Sequence, residues 1–433
     1  MSESNLYNLL HLDCYGEEER EKANANADAI ISQAQKNPRD LDLIYSFPMV
    51  VKVHRCCPLH QAIRLGLGVE VIDALSSPAA LKLKCDGTTA LHLAMHHRHK
   101  VAMDALCNPL DPEIHVSWDV VRLLMKKHPG AAREKDNHSE TPLHLACRNR
   151  APLDVVSPLL CCWPDAAKER DNEDRTPLHN ACQHNCTSSL DVVSALLSSC
   201  PDATKMKDSL GLTPLHVACR CASFDVVSLV LSAWPDALKE RDDYDWTPLH
   251  CACEKKEASY DVVSLLLNSW PDAVNQEEIE EGLTPLHIAF YNVSPMETII
   301  LLLDKWIEVS DNRNKDRIEP LIKIVGYEGD AEERKELLHY LCSLFDEETQ
   351  QIDDDFSQSE IMRYFVSINW LKGIFLAINM YPTVTKSLDL HTNIMADFLS
   401  VVGKRCHLKT MSTVIQNEPE LLENVYTLPE AHA

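Results

Sequence analysis

Glycine is scarce in this chain, with 11 residues in 433 against 23 prolines. That balance disfavours a sheet protein built on glycine turns and favours helices with sharp, proline-marked ends. Long hydrophobic runs are also missing. The longest clearly apolar stretch is about Ile299 to Leu303, far short of the roughly 20 residues a membrane span requires. The opening MSESNLYNLL has neither a basic n-region nor an apolar core, so no secretory leader is expected. With 17 cysteines, an odd number, the chain reads as one with reduced thiols rather than a disulfide framework. A cytoplasmic setting is therefore expected, and the nucleus is not excluded. No basic cluster offsets the net charge of −25. Nucleic acid and anionic membrane surfaces are poor partners for such a surface, and a basic or mixed-charge protein is a better one.

Enzyme signatures are lacking too. There is no G-x-S-x-G, no P-loop and no kinase set, and Gly66-Leu67-Gly68 lacks the third glycine of a dinucleotide loop. The acidic runs Glu277–Glu281 and Asp353–Asp355 read as solvated loops, not as paired catalytic acids. No catalytic residue, cofactor or metal ligand is assigned from the sequence.

What the chain does have is self-similarity. LHxA recurs with its leucine at positions 59, 91, 143, 178, 215, 249 and 286, at spacings of 32, 52, 35, 37, 34 and 37 residues. Five copies extend to TPLH, at Thr141, Thr176, Thr213, Thr247 and Thr284. DVV follows at Asp119, Asp154, Asp191, Asp225 and Asp261, and each time a proline stands ten residues later. Four of those prolines begin Pro-Asp-Ala. In one unit, Thr176 can cap a short helix whose first position suits Pro177. Asp191 opens a second helix, with Val192, Val193, Leu196 and Leu197 as its apolar stripe and Pro201 as its stop. About a dozen residues then lead to the next Thr-Pro, enough for a projecting hairpin. One such unit cannot bury its own face, whereas stacked units can.

The pattern resembles the ankyrin repeat over about residues 58–290. The resemblance implies an all-α helical solenoid with short hairpin fingers, a curved stack of about eight to ten helix pairs. The hairpin pattern DxxGxT is complete only at Asp208–Thr213. Ser139, Asp174 and Asp245 take the glycine place elsewhere, and the left-handed backbone is expected of them.

The expected organisation is an N-terminal helical cap with a half-repeat (1–57), repeats over 58–325 and a degenerate or separate helical region over 326–433. In the cap, a polar helix around Glu17–Lys36 is expected, with Asp28 and Pro38 ten apart as in the repeats. Glu319-Pro320-Leu321 marks a degenerate eighth unit. Ser367–Pro382 and Leu408–Pro419 resemble second helices, each ending on a proline. An insertion at about 99–118 interrupts one unit, with 28 residues between Leu91 and Asp119 where other units have 10 to 13.

Histidine and cysteine invite a metal reading that the repetition argues against. His179, Cys182 and Cys186 share a helical face, and His144/Cys147, His216/Cys219 and His250/Cys253 repeat the first pair. A motif stamped on every unit is architecture. The TPLH histidine is expected to tie the turn, and cysteine fits as a small hydrophobe. His92 and His96 lack the intervening glutamate of a zincin helix, and Cys56-Cys57 are poorly placed to share one metal.

The resemblance implies protein binding through a concave face made of fingertips and first helices. Residues that vary between units should read the partner. Interface energy concentrates in Trp, Tyr and Arg, so the expected contact set is Arg175, Leu212, Arg220, Tyr244 and Trp246, on a monomeric, non-catalytic scaffold. The alternative is a docking solenoid of an enzyme or metal-dependent protein with its chemistry in the C-terminal third.

Overall fold

A computed structural model describes residues 5–12, 17–47, 54–95, 118–183, 187–255, 258–325, 331–345 and 355–381. The insertion from His99 to Ser117, together with His96, His97, His184, Cys186 and the segment from Pro382 onward, lies outside them. The chain divides into two compact units, 1–251 and 252–433. The described elements are overwhelmingly helical, and the few strands are short hairpins.

Each repeat begins as its residues dictate. Pro142–Arg148, Pro177–Cys182 and Pro214–Cys221 are first helices with proline at the first turn and threonine as N-cap. The cap is reciprocal: Thr176 Oγ1 lies 2.8 Å from His179 Nδ1, and the Thr176 N–H donates to the same nitrogen at 3.1 Å. Thr141/His144 and Thr213/His216 repeat this, and so does Thr284/His287 in the second unit. Two of the helix's four orphan N–H positions are thus accounted for by one Thr-x-x-His pair.

Second helices follow at Trp118–Lys127, Leu153–Cys162, Thr187–Ser199 and Phe224–Ala233 in the first unit, and at Tyr260–Ser269 in the second. Val192, Val193, Leu196 and Leu197 are all buried, and the same stripe recurs in every DVV helix. The residue before each closing proline is driven out of the α region: Trp163, Cys200, Trp234 and Trp270 have φ near −150° to −145° and ψ near 85°. The proline then starts a five-residue 3-10 turn, such as Pro201–Lys205, whose alanine is buried. Pro-Asp-Ala is therefore a second corner of the repeat as well as a helix stop.

In the first unit, first helix packs on first helix and second on second from 118 to 233. Its N-terminal end is capped by a complete helix pair. Asn5–Leu10 buries Leu6 and Leu10 and packs on both Ala27–Lys36 and Pro58–Leu65. Gln61 Nε2 donates to the carbonyl of Leu12 at 3.0 Å. The expected helix over 17–36 is two helices, Glu17–Ala25 and Ala27–Lys36, broken at Asn26. The hairpin Tyr45–Phe47/His54–Cys56 is the first finger, with Ser46 opposite Arg55.

In the second unit, helix pairs continue past the last TPLH: Lys315–Ile324 with Ala331–Leu344, then Asp355–Ser367 with Leu371–Met380. The register at Pro320 differs from expectation. Asn314 caps this helix through the N–H of Arg317, so Pro320 lies inside it, at the sixth position and not the first. A buried core joins these helices, with Phe365 edge-on to Trp370 and the Trp370 indole donating to Asp304 Oδ1 at 2.7 Å.

Candidate functional site: the fingers and their capping histidines

Four fingers of the first unit share one hydrogen-bond plan. In the third, the Asp208 N–H donates to the carbonyl of Leu212, and Asp208 Oδ1 accepts the N–H groups of Leu210 and Leu212, both at 2.9 Å. Asp136, Asp171 and Asp242 do the same for His138/Glu140, Glu173/Arg175 and Tyr244/Trp246. The turn closes through a left-handed residue: Ser139 at φ 60°, Asp174 at 55°, Gly211 at 76° and Asp245 at 62°. Asp and Ser thus adopt the backbone expected of them. The aspartate five places before the threonine, whose role sequence reasoning missed, is the constant element of the finger.

The fingers are also joined to one another. Asn172 N–H donates to the His138 carbonyl, Ser209 to that of Glu173, and Asp243 to that of Leu210, at 2.9 to 3.1 Å. Below the tips, Lys135, Arg170 and Lys207 each reach the carbonyl of the next unit's equivalent residue. Finally, each capping histidine grips the next finger. Nε2 of His92, His144, His179 and His216 lies 3.0 to 3.1 Å from the carbonyls of Glu140, Arg175, Leu212 and Trp246. With Nδ1 on threonine and Nε2 on a carbonyl, both ring nitrogens of His179 are engaged within the stack.

Burial holds these rings neutral. Loss of solvent pushes His144 and His179 down to about 4 and His216 to about 3, outweighing the backbone bonds that favour the cation. The same cause takes His287 to about 4 in the second unit.

The five residues expected to meet a partner do not form one exposed set. Tyr244 is exposed at the fingertip, at 48% of its free surface. Arg175 is half-buried, 2.5 Å from Glu173 Oε2 and 3.9 Å from Asp208 Oδ2. Arg220 is partly buried on its first helix, its guanidinium 4.0 Å from the Cys251 sulfur. Trp246 is partly buried, its ring 5.9 Å from that of His250. Leu212 must be reassigned: it is 6% exposed, so its side chain belongs to the stack and its carbonyl to His179. Glu140, at the same register, is also buried and paired with Arg148. The exposed variable positions lie two residues earlier, at His138, Glu173, Leu210 and Tyr244. Glu278, read as part of a solvated acidic run, instead closes the second unit's finger, accepting the N–H groups of Glu280, Glu281 and Leu283.

One capping histidine departs from the plan. His60 follows cysteine where other units have threonine, and its Nδ1 lies 2.9 Å from Cys57 Sγ. Both side chains are fully buried, and Cys85 comes within 4.8 Å of each. The thiol of Cys57 hydrogen-bonds to Cys85 and holds Cys85 down to about 4, while Cys57 itself is pushed up.

Among the described residues, no helix is long and apolar enough to cross a membrane. No curated protein matches the chain. A family model described as ankyrin repeats, in three copies, matches residues 153–239, 186–277 and 234–316. The capping box, the stacked helix pairs and the hairpin fingers extend the same construction on the N-terminal side of that match to Thr89. Residues 153–316 are therefore ankyrin repeats.

Proposed function

We propose that the chain is a non-catalytic binding scaffold whose partner is a protein docked across the fingertips and the adjoining first helices. Ankyrin repeats are generally protein–protein interaction modules. The observation that carries the reading is the register two residues after each finger aspartate. There the backbone is fixed by a hydrogen bond to the carboxylate, the side chain is exposed, and the residue changes from His138 to Glu173 to Leu210 to Tyr244. Invariant backbone with a freely varied side chain is the form of a reading surface.

Leu210 and Tyr244 are 44% and 48% exposed and stand on fingers joined by the Asp243 N–H. They make an apolar anchor rimmed by exposed Glu173 and Asp243. A partner presenting an apolar side chain with basic neighbours suits that patch, in keeping with the net charge of −25. Buried thiols such as Cys147 and Cys182 suit a reducing, cytoplasmic setting.

The test is affinity capture with the full chain against the double variant Leu210→Ser/Tyr244→Ser, its circular dichroism and melting checked first. The expected result is selective loss of one or a few proteins from the variant, with retention on the wild type weakening as salt is raised. Equal recovery on both baits would remove the fingertips from recognition.

A further inference from the structure

We propose that Cys57, His60 and Cys85 form a zinc site between the first capping box and the second finger. Among the described residues, this is the one group of three or more histidine, cysteine or acidic side chains whose ligand atoms all lie within 4.8 Å of one another. All three are buried, at 0%, 0% and 3% exposure.

Three departures from the repeat meet at this point. The capping residue is threonine at 89, 141, 176, 213, 247 and 284, and its hydroxyl satisfies the histidine Nδ1 at 2.7 to 2.8 Å. At 57 it is cysteine. Nε2 of His92, His144, His179 and His216 reaches a carbonyl of the next finger, whereas Nε2 of His60 is buried with no hydrogen-bond partner. The finger that His60 faces is also different. It is a tight two-residue turn, Asp86 at φ 52° and Gly87 at φ 78°, pairing Cys85 with Thr88. Cys85 flanks this turn, where the longer fingers carry the aspartate that ties them.

The chemistry favours zinc over other cations. Two sulfurs and an imidazole are soft and borderline donors, which disfavours calcium and magnesium. Two thiolates neutralise a divalent ion, so the buried site carries no net charge, whereas a monovalent copper would leave one uncompensated. Zinc takes sulfur at about 2.3 Å and histidine nitrogen at about 2.0–2.1 Å, which places tetrahedral N and S donors about 3.5 Å apart. Loading therefore replaces the Cys57–His60 contact at 2.9 Å with two bonds to the metal. The three donors leave one coordination position for a neutral water, which preserves that charge balance. Depth in the core points to a structural staple that ties the second finger to the first capping box, in place of the Thr–His–carbonyl relay used further along.

The experiment uses the full chain, purified reduced and without chelator, and Cys57→Thr, which restores the capping residue of six other units. Zinc per chain is read by inductively coupled plasma mass spectrometry. Thiolate-to-cobalt charge transfer is read on titration with cobalt(II). Wild type is expected to hold one equivalent more zinc than Cys57→Thr and Cys85→Ser, to show the charge-transfer band that both lack, and to melt earlier after chelator treatment. Cys147→Ser should behave as wild type. Cys57→Thr is expected to fold, and its melting should ignore chelator. Should it fail to fold, Cys85→Ser and competition of a chromogenic chelator against wild type decide the matter. Equal zinc in wild type and folded variants would overturn the proposal. So would a reduced wild-type chain that takes up neither zinc nor cobalt at this site, or one whose Cys57 and Cys85 are joined as a disulfide.

Discussion

Acid should unfold this protein through its capping histidines before its carboxylates titrate. In the first unit His144 and His179 sit at about 4 and His216 at about 3, against an ordinary 6.5, with burial the first cause. In the unfolded chain these rings take up protons as the pH falls below about 6.5. In the folded chain they do so only near 4. Over that interval the unfolded state binds more protons, so stability is complete above pH 6.5 and is lost as the pH falls towards 4. Between pH 7.5 and 5.5 each ring costs about 1.3 kcal/mol, and the three together cost about 4 kcal/mol, a factor on the order of a thousand in the unfolding equilibrium. His287 acts with the same sign in the second unit. Glu140 and Asp242, raised by burial, act in the opposite sense as the pH falls towards the carboxylate range. The assay is urea unfolding at several pH values in that window, followed by circular dichroism. With an m-value near 3 kcal/mol/M, the first-unit midpoint should fall by about 1.3 M. His179→Gln should be less stable at pH 7.5 yet lose about one proton from the pH slope. Stability that is flat from pH 7.5 to 5.5, or a slope unchanged in His179→Gln, would refute the assignment of buried neutral caps.

Three further outcomes follow from packing and turn geometry. Leu178, fully buried between stacked helices, should cost roughly 2–5 kcal/mol on change to alanine, while exposed Tyr244→Ala should stay within about 0.5 kcal/mol; equal costs in denaturation would erase the distinction between stack and fingertip. Asp208→Ala removes the acceptor of two N–H groups and should cost about 2–3 kcal/mol, whereas Asp208→Asn keeps an oxygen there and should cost about 1 kcal/mol or less; matching losses would show that the carboxylate does not hold the finger. At the left-handed position, Gly211→Ala would place a Cβ 2.6 Å from Asp243 Oδ1 and 2.8 Å from its backbone nitrogen, and should destabilise by about 2 kcal/mol. Ser139→Gly, at the same register with φ 60°, should instead stabilise by about 0.5–1 kcal/mol. Melting shifts of the same sign would contradict that reading.

The features legible in the sequence are those whose physics is confined to one unit. Thr176, Pro177 and His179 act over four residues, and Val192 to Leu197 mark their buried stripe by spacing alone, so both are visible in the text of the chain. Long-range relations are not. Nothing local says that Cys57 and Cys85, 28 residues apart, converge on His60. Nothing local says that the carbonyl of Leu212 is taken by His179 while its side chain is buried. Asn5–Leu10 carries no repeat motif, so only its packing on the helix at 58–65 reveals it as part of the cap. Pro320 misled for a related reason. Proline favours a first turn, but the cap at Asn314 fixes the helix start five residues earlier.

The backbone plan of the fingers explains how one surface can vary while the stack stays constant. At Arg175 the N–H is held by Asp171 and the carbonyl by His144; Leu212 and Trp246 are held the same way by Asp208 and His179, and by Asp242 and His216. Neither grip involves the side chain. The residue two places earlier has its N–H held by the same carboxylate, and its side chain faces outward. Hydrogen bonds to main-chain atoms are indifferent to residue type, so exchange at Glu173, Leu210 or Tyr244 changes the exposed surface without changing the turn. Exchange at Asp208 or His179 does the reverse, because those side chains are the grips. The finger's backbone is therefore held by its own aspartate and the preceding unit's histidine, while the side chains at its tip are free to differ from unit to unit.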